Sequence, residues 1–189
     1  MCLKLKTNFI MKTNSGRILS IMKFLFWFIF IGLCVQTGAL IFTMLLSLFG
    51  NVETASDLYL GLNLTSLYEF SIGHFIILLT FVIALSALKA YIAYLVVQIF
   101  TKIDFESPFN TNTSERLSKI SHVALSTGVL ALIANAYNLY LFKRSIIDSS
   151  AQPYVEGSRE FLFLAGIIFI IAQIFKKGVA LQNENELTI

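Results

Sequence analysis

The stretch KIDFESPFNTNTSERLSK, residues 102–119, separates two long apolar parts of the chain and decides how the fold is interpreted. It contains Pro108, one of only two prolines in the sequence. A residue that precedes proline is biased towards extended backbone, so Ser107 marks a place where the preceding helix has ended. Asn112, with Glu115 three residues later, is typical of a capping box at the start of the next helix. The stretch therefore predicts a polar connection between two long helices.

The overall composition favours a membrane protein. Hydrophobic residues make up 57% of the chain and charged residues only 13%, against about 25% charged residues in a soluble domain. A globular core of this size could not bury so much apolar surface, so lipid is the expected solvent. The net charge is only +3, and no basic stripe with base-stacking aromatics lies outside the apolar runs. Direct binding of nucleic acid is therefore not expected.

Uncharged runs predict four membrane-spanning helices. The runs lie at 24–52, 70–88, 120–142 and 161–175. The first three are close to or longer than the roughly 20 residues that cross a bilayer. With their flanking residues, the predicted spans cover about 18–48, 71–101, 115–142 and 159–178. The fourth apolar run is short, so its flanking side chains must snorkel or the bilayer must thin locally.

The predicted fold is all-α, a single integral membrane bundle of four transmembrane helices over residues 18–189. Residues 1–17 are expected to form a basic cytoplasmic tail. Residues 102–114 form the predicted cytoplasmic connector, and residues 179–189 a C-terminal tail. Residues 50–70 are expected to lie on the outer surface as a partly ordered loop.

The distribution of lysine and arginine predicts that both termini lie in the cytoplasm. Ten of these residues lie in the N-terminal tail, the connector region and the C-terminal tail, whereas the first outer loop has none. The second outer loop has three, Lys143, Arg144 and Arg159. Positively charged residues accumulate on the cytoplasmic side of membrane proteins. The balance therefore favours an N-in, C-in orientation, and the second outer loop is the part that opposes it.

No residue pattern indicates a cofactor, a metal site or an enzyme. The two cysteines, Cys2 and Cys34, form no CxxC or Cys/His cluster and suggest no disulfide. His74 and His122 begin two different spans at opposite faces of the bilayer, so a shared metal is not expected. Each histidine is interpreted as an interfacial hydrogen-bonding residue. The function is accordingly expected to be non-enzymatic.

Lys89 interrupts the second span and admits three interpretations. An ammonium group inside a membrane helix costs about 2.5–3.5 kcal/mol on insertion scales, so it usually reaches water or a partner. If the inner boundary lies near Tyr94 or Leu95, the side chain snorkels to it. The alternatives are a structural pair and a role in binding a substrate or ion. Ser86, one turn earlier, suggests a Ser/Lys dyad without a third catalytic element, and more plausibly a small-residue packing surface with Ala90 and Ala93.

Amide side chains inside the spans also admit two interpretations. Asn135 and Asn138 lie one turn apart on one face of the third span. Together with Gln36 and Gln173 they could line a polar pathway. They could equally act as interhelical hydrogen-bonding residues, which requires no transport role.

Several short motifs resemble a bacterial family catalogued as domain of unknown function 2975. They are Ser107-Pro108-Phe109 after the second span, Arg116-Leu117 at the opening of the third, and the terminus Glu186-Leu187-Thr188-Ile189. The resemblance extends from the first span to the last residue. It implies a small multi-pass protein of the bacterial plasma membrane, often encoded beside a small helix-turn-helix regulator, and it implies no established reaction.

The same motifs form a candidate docking surface at the cytoplasmic end of the bundle. Its members are Pro108, Phe109, Arg116, Glu186, Leu187, Thr188 and Ile189. An extended C-terminus that packs against Phe109 would close the bundle as an internal clasp. A surface open to a cytoplasmic partner is the functional alternative, and the two are compatible.

Two functions are carried forward. The first is a non-enzymatic sensor or partner-binding protein whose cytoplasmic face tethers a helix-turn-helix regulator. The second is a small transporter or channel subunit that uses Lys89, Asn135, Asn138 and Gln173. Four helices are few for a complete pathway, so the second function requires a homo-oligomer. The sequence itself identifies neither a ligand nor an oligomeric state.

Overall fold

The computed structural model describes residues 2–49, 56–102 and 110–186, with side chains at 17–49, 56–101 and 110–184. No strand occurs in these ranges. The helices are α1 Cys2–Phe49, α2 Thr65–Phe70, α3 Ile72–Lys102, α4 Thr111–Lys143, α5 Gln152–Val155 and α6 Ser158–Glu186. Four segments, containing α1, α3, α4 and α6, are long and apolar enough to cross a membrane. The predicted all-α bundle with four membrane-spanning helices is confirmed.

The two predicted tails continue the helices next to them. Backbone helix begins at Cys2 in α1, although residues 1–17 were expected as a separate tail. Likewise, α6 runs to Glu186, through most of the tail expected at 179–189. Neither segment contains a proline, and a single glycine inside a helix costs only about 1 kcal/mol relative to alanine. Gly178, the residue just before the predicted C-terminal tail, therefore does not end α6.

The long helices pack in chain order. Within the described residues, the extensive interfaces between them join α1 to α3, α3 to α4 and α4 to α6. Aromatic pairs mark the first interface: the ring centroids of Phe26 and Phe100 are 5.6 Å apart, and those of Phe30 and Tyr94 are 5.7 Å apart. This order leaves broad apolar surfaces of α1 and α6 exposed, as expected for helices that face lipid.

Two of the long helices approach each other closely at a glycine. A Cβ atom placed on Gly128 of α4 would lie 2.8 Å from Cγ and 3.1 Å from the backbone nitrogen of Leu162 in α6. Two turns before Gly128 in α4, the Ser121 hydroxyl donates a hydrogen bond of 3.0 Å to the carbonyl of Ala165, which lies one turn after Leu162 in α6. The missing side chain thus allows α4 and α6 to pack closely. By contrast, a Cβ on Gly38 of α1 would meet nothing within 4 Å.

A folded cap, residues 56–71 and 144–157, covers the end of the bundle opposite the connector. The expectation of a partly ordered surface loop at 50–70 is wrong for the described part of it, because four of its leucines are buried: Leu58, Leu62, Leu64 and Leu67. They form one apolar core with Phe75 and with Ala151 and Val155 from the other half of the cap. Burial of these side chains fixes the cap on the bundle.

Hydrogen bonds join the two halves of the cap. The Tyr154 hydroxyl donates to the Tyr59 carbonyl over 2.6 Å, and the Ser150 hydroxyl donates to the Asn63 carbonyl over 2.8 Å. A turn at Leu60 and Gly61, with φ angles of 42° and 84°, presents those carbonyl groups. Glycine adopts the second of these conformations without steric cost.

Candidate functional site

A polar cavity lies at the connector end of the bundle, where α3 ends and α4 begins. Its volume is about 250 Å³. The lining residues come from both helices: Leu95, Gln98, Asn112, Glu115, Arg116 and Lys119. Leu95 is buried, so the cavity has an apolar floor and charged walls. It contains Arg116, the one member of the predicted docking surface whose side chain is described.

The two cations of this cavity are held by neutral partners. An Arg116 nitrogen donates to the Gln98 side-chain oxygen over 2.5 Å. The Lys119 ammonium lies 5.6 Å from the centroid of the Tyr91 ring, within the range of a cation–π interaction. Among the described residues, neither cation has a carboxylate within salt-bridge distance, so both keep donor capacity for a further acceptor.

The residue that caps α4 differs from the prediction. Asn110 is the N-cap, and its side-chain oxygen accepts a 2.7 Å hydrogen bond from the backbone nitrogen of Thr113. The predicted capping box placed this role on Asn112 with Glu115. An earlier asparagine with extended backbone satisfies the same free N–H groups, so α4 starts one residue before Asn112. This leaves Asn112 and Glu115 on the helix surface, where they line the cavity.

The other members of the predicted docking surface cannot be placed by contact. Pro108, Phe109, Leu187, Thr188 and Ile189 lie outside the described residues, and so does the side chain of Glu186. The internal clasp therefore stays a prediction. Backbone helix at Glu186 shows that an extended tail could begin only after this residue.

Lys89 points away from the connector. Its ammonium lies 5.9 Å from the centroid of Phe161, in the first turn of α6. This direction is opposite to that of snorkelling towards Tyr94 and Leu95, which is one of the three interpretations that the sequence leaves open. Side chains lean towards the N-terminus of their helix, and the N-terminus of α3 is at the cap end. Lys89 makes no hydrogen bond or salt bridge to another described residue, so its observed contact is the Phe161 ring.

Asn135 and Asn138 belong to a network that includes a residue the sequence did not suggest. The Asn138 amide nitrogen donates to the Gln152 oxygen over 2.7 Å. The Gln152 nitrogen in turn donates to Asn135 over 3.2 Å and to Glu156 over 2.7 Å. Asn138 is only 1% exposed, and its own side-chain oxygen lacks a partner in the described structure. The two asparagines therefore attach α5 of the cap to α4.

The four residues expected to form a polar pathway are not brought together. Gln173 is exposed on α6. With Ser121 and Ala165 level with each other, Gln173 lies about 38 Å from Asn138 along the bundle axis, at 1.5 Å per residue. Gln36 is on α1, which packs on α3 rather than on α4. Asn135 and Asn138 share one network, whereas Gln36 and Gln173 lie in other parts of the described bundle.

The histidines make local or structural hydrogen bonds. His74 Nδ1 lies 2.5 Å from the Tyr137 hydroxyl and joins α3 to α4 near the cap. His122 Nδ1 donates to the Ser118 carbonyl one turn earlier, over 2.6 Å. The described residues contain no group of three His, Cys, Asp or Glu side chains that could hold a metal ion. Sequence inspection missed Tyr137, because a tyrosine in an apolar span carries no distinctive pattern.

A second cavity lies between α1 and α3 and is almost entirely apolar. Its volume is about 580 Å³, and its lining includes Cys34, Thr37, Gly38 and Ala90. The small residues Ser86, Ala90 and Ala93 are buried, as a packing surface requires. Near Gly38, however, the helices diverge and leave a groove. The polar side chains in its lining are Cys34, Tyr91, Tyr94 and Thr37, and the Thr37 hydroxyl donates to the Leu33 carbonyl of its own helix.

Comparison with known proteins identifies one family. A family model described as "Protein of unknown function (DUF2975)" matches residues 66–189. This match confirms the family suggested by the short motifs. It begins in α2 and leaves α1 outside, although the resemblance was expected to start at the first span. The chain matches no curated protein and no solved structure.

Proposed function

Because the chain belongs to the DUF2975 family, whose function is unknown, we propose a function from its geometry. The protein is a non-enzymatic, multi-pass membrane protein that binds a cytoplasmic protein at its connector end. The proposed partner is a helix-turn-helix regulator, which this chain would hold at the plasma membrane of a bacterium. The class of partner is taken from the resemblance to the family, and the proposed binding position is the connector end of the bundle.

The observation that carries the proposal is the projection of α6 beyond the start of α4. From Ala165, which is level with Ser121, α6 continues for about 31 Å to Glu186, whereas α4 continues in that direction for only about 15 Å to Thr111. The end of α6 therefore extends about 16 Å further than α4. It follows Lys176 and Lys177 and carries Leu181, whose side chain is 52% exposed. Leu181 gives this projecting end an apolar side chain that a bound partner would cover.

The opposite end of the molecule offers less to a partner. In the cap, Ser150, Tyr154 and Gln152 form hydrogen bonds within the chain. Four of its five leucines are buried, and only Leu60 is exposed. At the connector end, Asn112 and Glu115 form no hydrogen bond or salt bridge with other described residues. Polar groups without internal partners keep their donors and acceptors for a bound molecule. This difference supports binding at the connector end.

The wide separation of Asn138 and Gln173 does not support a polar pathway through one chain. The transporter or channel hypothesis required these residues to act together with Lys89. A pathway in a homo-oligomer would require polar side chains that cluster on one surface of each chain. The described polar side chains do not cluster in this way. Partner binding is therefore the better-supported function.

Co-purification tests the proposal. The full-length protein is co-expressed with a helix-turn-helix regulator of the class expected from the family resemblance and purified in detergent, and Leu181→Asn is compared with the unsubstituted chain. Loss of a leucine from an interface is expected to weaken binding at least about tenfold. Leu60→Asn is the matched control, because Leu60 is an exposed leucine in the cap at the opposite end.

Retention of the regulator by the unsubstituted chain and by Leu60→Asn, with a reduced amount on Leu181→Asn, is the expected result. Absence of the regulator from all three preparations would count against the proposed partner. Equal retention by all three would show that the projecting end of α6 is not the docking element.

A further inference from the structure

The polar cavity between α3 and α4 has an excess of hydrogen-bond donors. Its two cations, Arg116 and Lys119, face one carboxylate, Glu115. The guanidinium has five N–H groups and the ammonium has three. The single side-chain acceptor that either of them engages in the described structure is Gln98. The cavity therefore suits a ligand that brings several acceptor oxygens.

The cavity lies at the charged end of a predicted span, where lipid head groups are expected. Lys119 immediately precedes Ile120, the first residue of the uncharged run 120–142. Tyr91, under the Lys119 ammonium, is an aromatic residue of the type that lies at membrane interfaces. The buried Leu95 side chain closes the apolar side. A ligand held here would have its charged part at the membrane surface and its apolar part next to the helices.

We propose that this cavity binds the head group of an anionic phospholipid from the leaflet at the connector end, with the phosphate on Arg116 and Lys119. Arginine matches the geometry of phosphate oxygens with two parallel N–H groups, and basic pockets between membrane helices are suited to anionic head groups. The volume of about 250 Å³ exceeds the roughly 30 Å³ that one water occupies in the liquid. It therefore admits a phosphate with part of its head group.

Asn112 and Glu115 narrow the choice of head group. Both line the cavity one turn before the cations. A carboxylate repels a second phosphate but accepts hydrogen bonds from hydroxyl groups. The arrangement therefore fits phosphatidylglycerol, which has one phosphate and two free hydroxyls, better than a lipid with several phosphates. This inference goes beyond the proposed function, since no cytoplasmic protein takes part in it.

The test measures lipid binding by the full chain alone. The protein is reconstituted in nanodiscs of phosphatidylcholine with a minor fraction of phosphatidylglycerol, and lipid that stays bound after transfer to detergent is quantified by native mass spectrometry. Arg116→Gln combined with Lys119→Gln is expected to weaken retention of phosphatidylglycerol about 30-fold, from the contribution of two charges near an anionic surface. Arg116→Lys combined with Lys119→Arg preserves the charge and is expected to keep most of the binding.

Lys176→Gln combined with Lys177→Gln is the matched control, because it removes two cations from the same end of the bundle outside the cavity. Equal loss in the control and in the cavity variant would indicate general surface electrostatics and overturn the proposal. So would equal retention of phosphatidylglycerol and phosphatidylcholine by the unsubstituted chain. Inorganic phosphate provides the remaining comparison: if it displaces the lipid at equal concentration, free phosphate rather than a lipid is the ligand, and the assignment is wrong.

Discussion

Gly128 of α4 and Leu162 of α6 approach each other so closely that a Cβ atom on the glycine would lie 2.8 Å from Leu162 Cγ. The neighbouring backbone nitrogen, at 3.1 Å, cannot move away as a flexible side chain could. This contact holds the fourth span against the third, and the position of α6 determines both the projecting end proposed for partner binding and the ring that Lys89 contacts.

Gly128→Ala is expected to destabilise the bundle by about 1–3 kcal/mol, the usual cost of overpacking a well-packed interface. The measurement is the midpoint of thermal unfolding in detergent. Gly166→Ala in α6 is the control, because a Cβ there would meet nothing within 4 Å, and it should leave the midpoint unchanged or raise it slightly. Equal midpoints for Gly128→Ala and the unsubstituted protein would contradict the observed packing.

Lys89→Met is expected to stabilise the protein by about 1 kcal/mol. Removing the ammonium avoids an insertion cost that reaches about 2.5–3.5 kcal/mol at a helix centre, while the lost interaction with Phe161 is worth about 0.5–2 kcal/mol. Thermal unfolding in detergent and the efficiency of membrane insertion both report the change. Lys119→Met is the comparison, since Lys119 has a similar contact with Tyr91 at the membrane surface and should show no gain. A lower unfolding midpoint for Lys89→Met would reveal a structural partner for the ammonium.

Asn138 and Gln152 are expected to be energetically coupled. Asn138→Leu leaves the Gln152 oxygen without its 2.7 Å donor, and Gln152→Leu leaves a buried amide unpaired. Each single substitution should therefore destabilise the fold by about 1–3 kcal/mol. The double substitution should cost less than the sum of the two, with a coupling of about 1 kcal/mol. A double-mutant cycle on unfolding free energies measures this term, and strict additivity would show that the hydrogen bond contributes nothing.

The orientation of the chain in the membrane is predicted from the distribution of lysine and arginine alone. In a chain with Cys2 and Cys34 replaced by serine, Leu60→Cys should react with a membrane-impermeant maleimide in intact cells. Thr111→Cys should react only after the cells are permeabilised, because the connector end is predicted to be cytoplasmic. Both positions are exposed, so accessibility depends on the side of the membrane. Labelling of Thr111→Cys in intact cells would reverse the N-in, C-in assignment.

The membrane helices were predictable because hydrocarbon imposes a simple condition on a sequence. A helix satisfies its backbone hydrogen bonds internally, and any uncharged run of sufficient length meets that condition. The runs at 24–52 and 120–142 therefore located α1 and α4 without any knowledge of their neighbours. The ends of the helices were less predictable, since Asn110 and Asn112 are both acceptable caps and only one of them has the extended backbone that a cap needs.

The candidate site was predictable only in part, because chemistry at a site depends on which helices meet. Arg116 was chosen from a short motif, but its cavity also requires Gln98 from another helix. Asn135 and Asn138 were recognised as neighbours on one face, whereas their partner Gln152 comes from a cap segment that looked like an ordinary loop. Lys89 was recognised as unusual, but its contact with Phe161 depends on where α6 packs.

The sequence alone determined that the chain crosses a membrane as four helices, since the free energy of transferring an apolar run into lipid is a local property of that run. Only the tertiary structure decided that the helices pack in chain order, that leucines of an outer segment close one end, and that Arg116 and Lys119 share a cavity. These features depend on contacts between residues far apart in the chain, and no local pattern specifies which residues will meet.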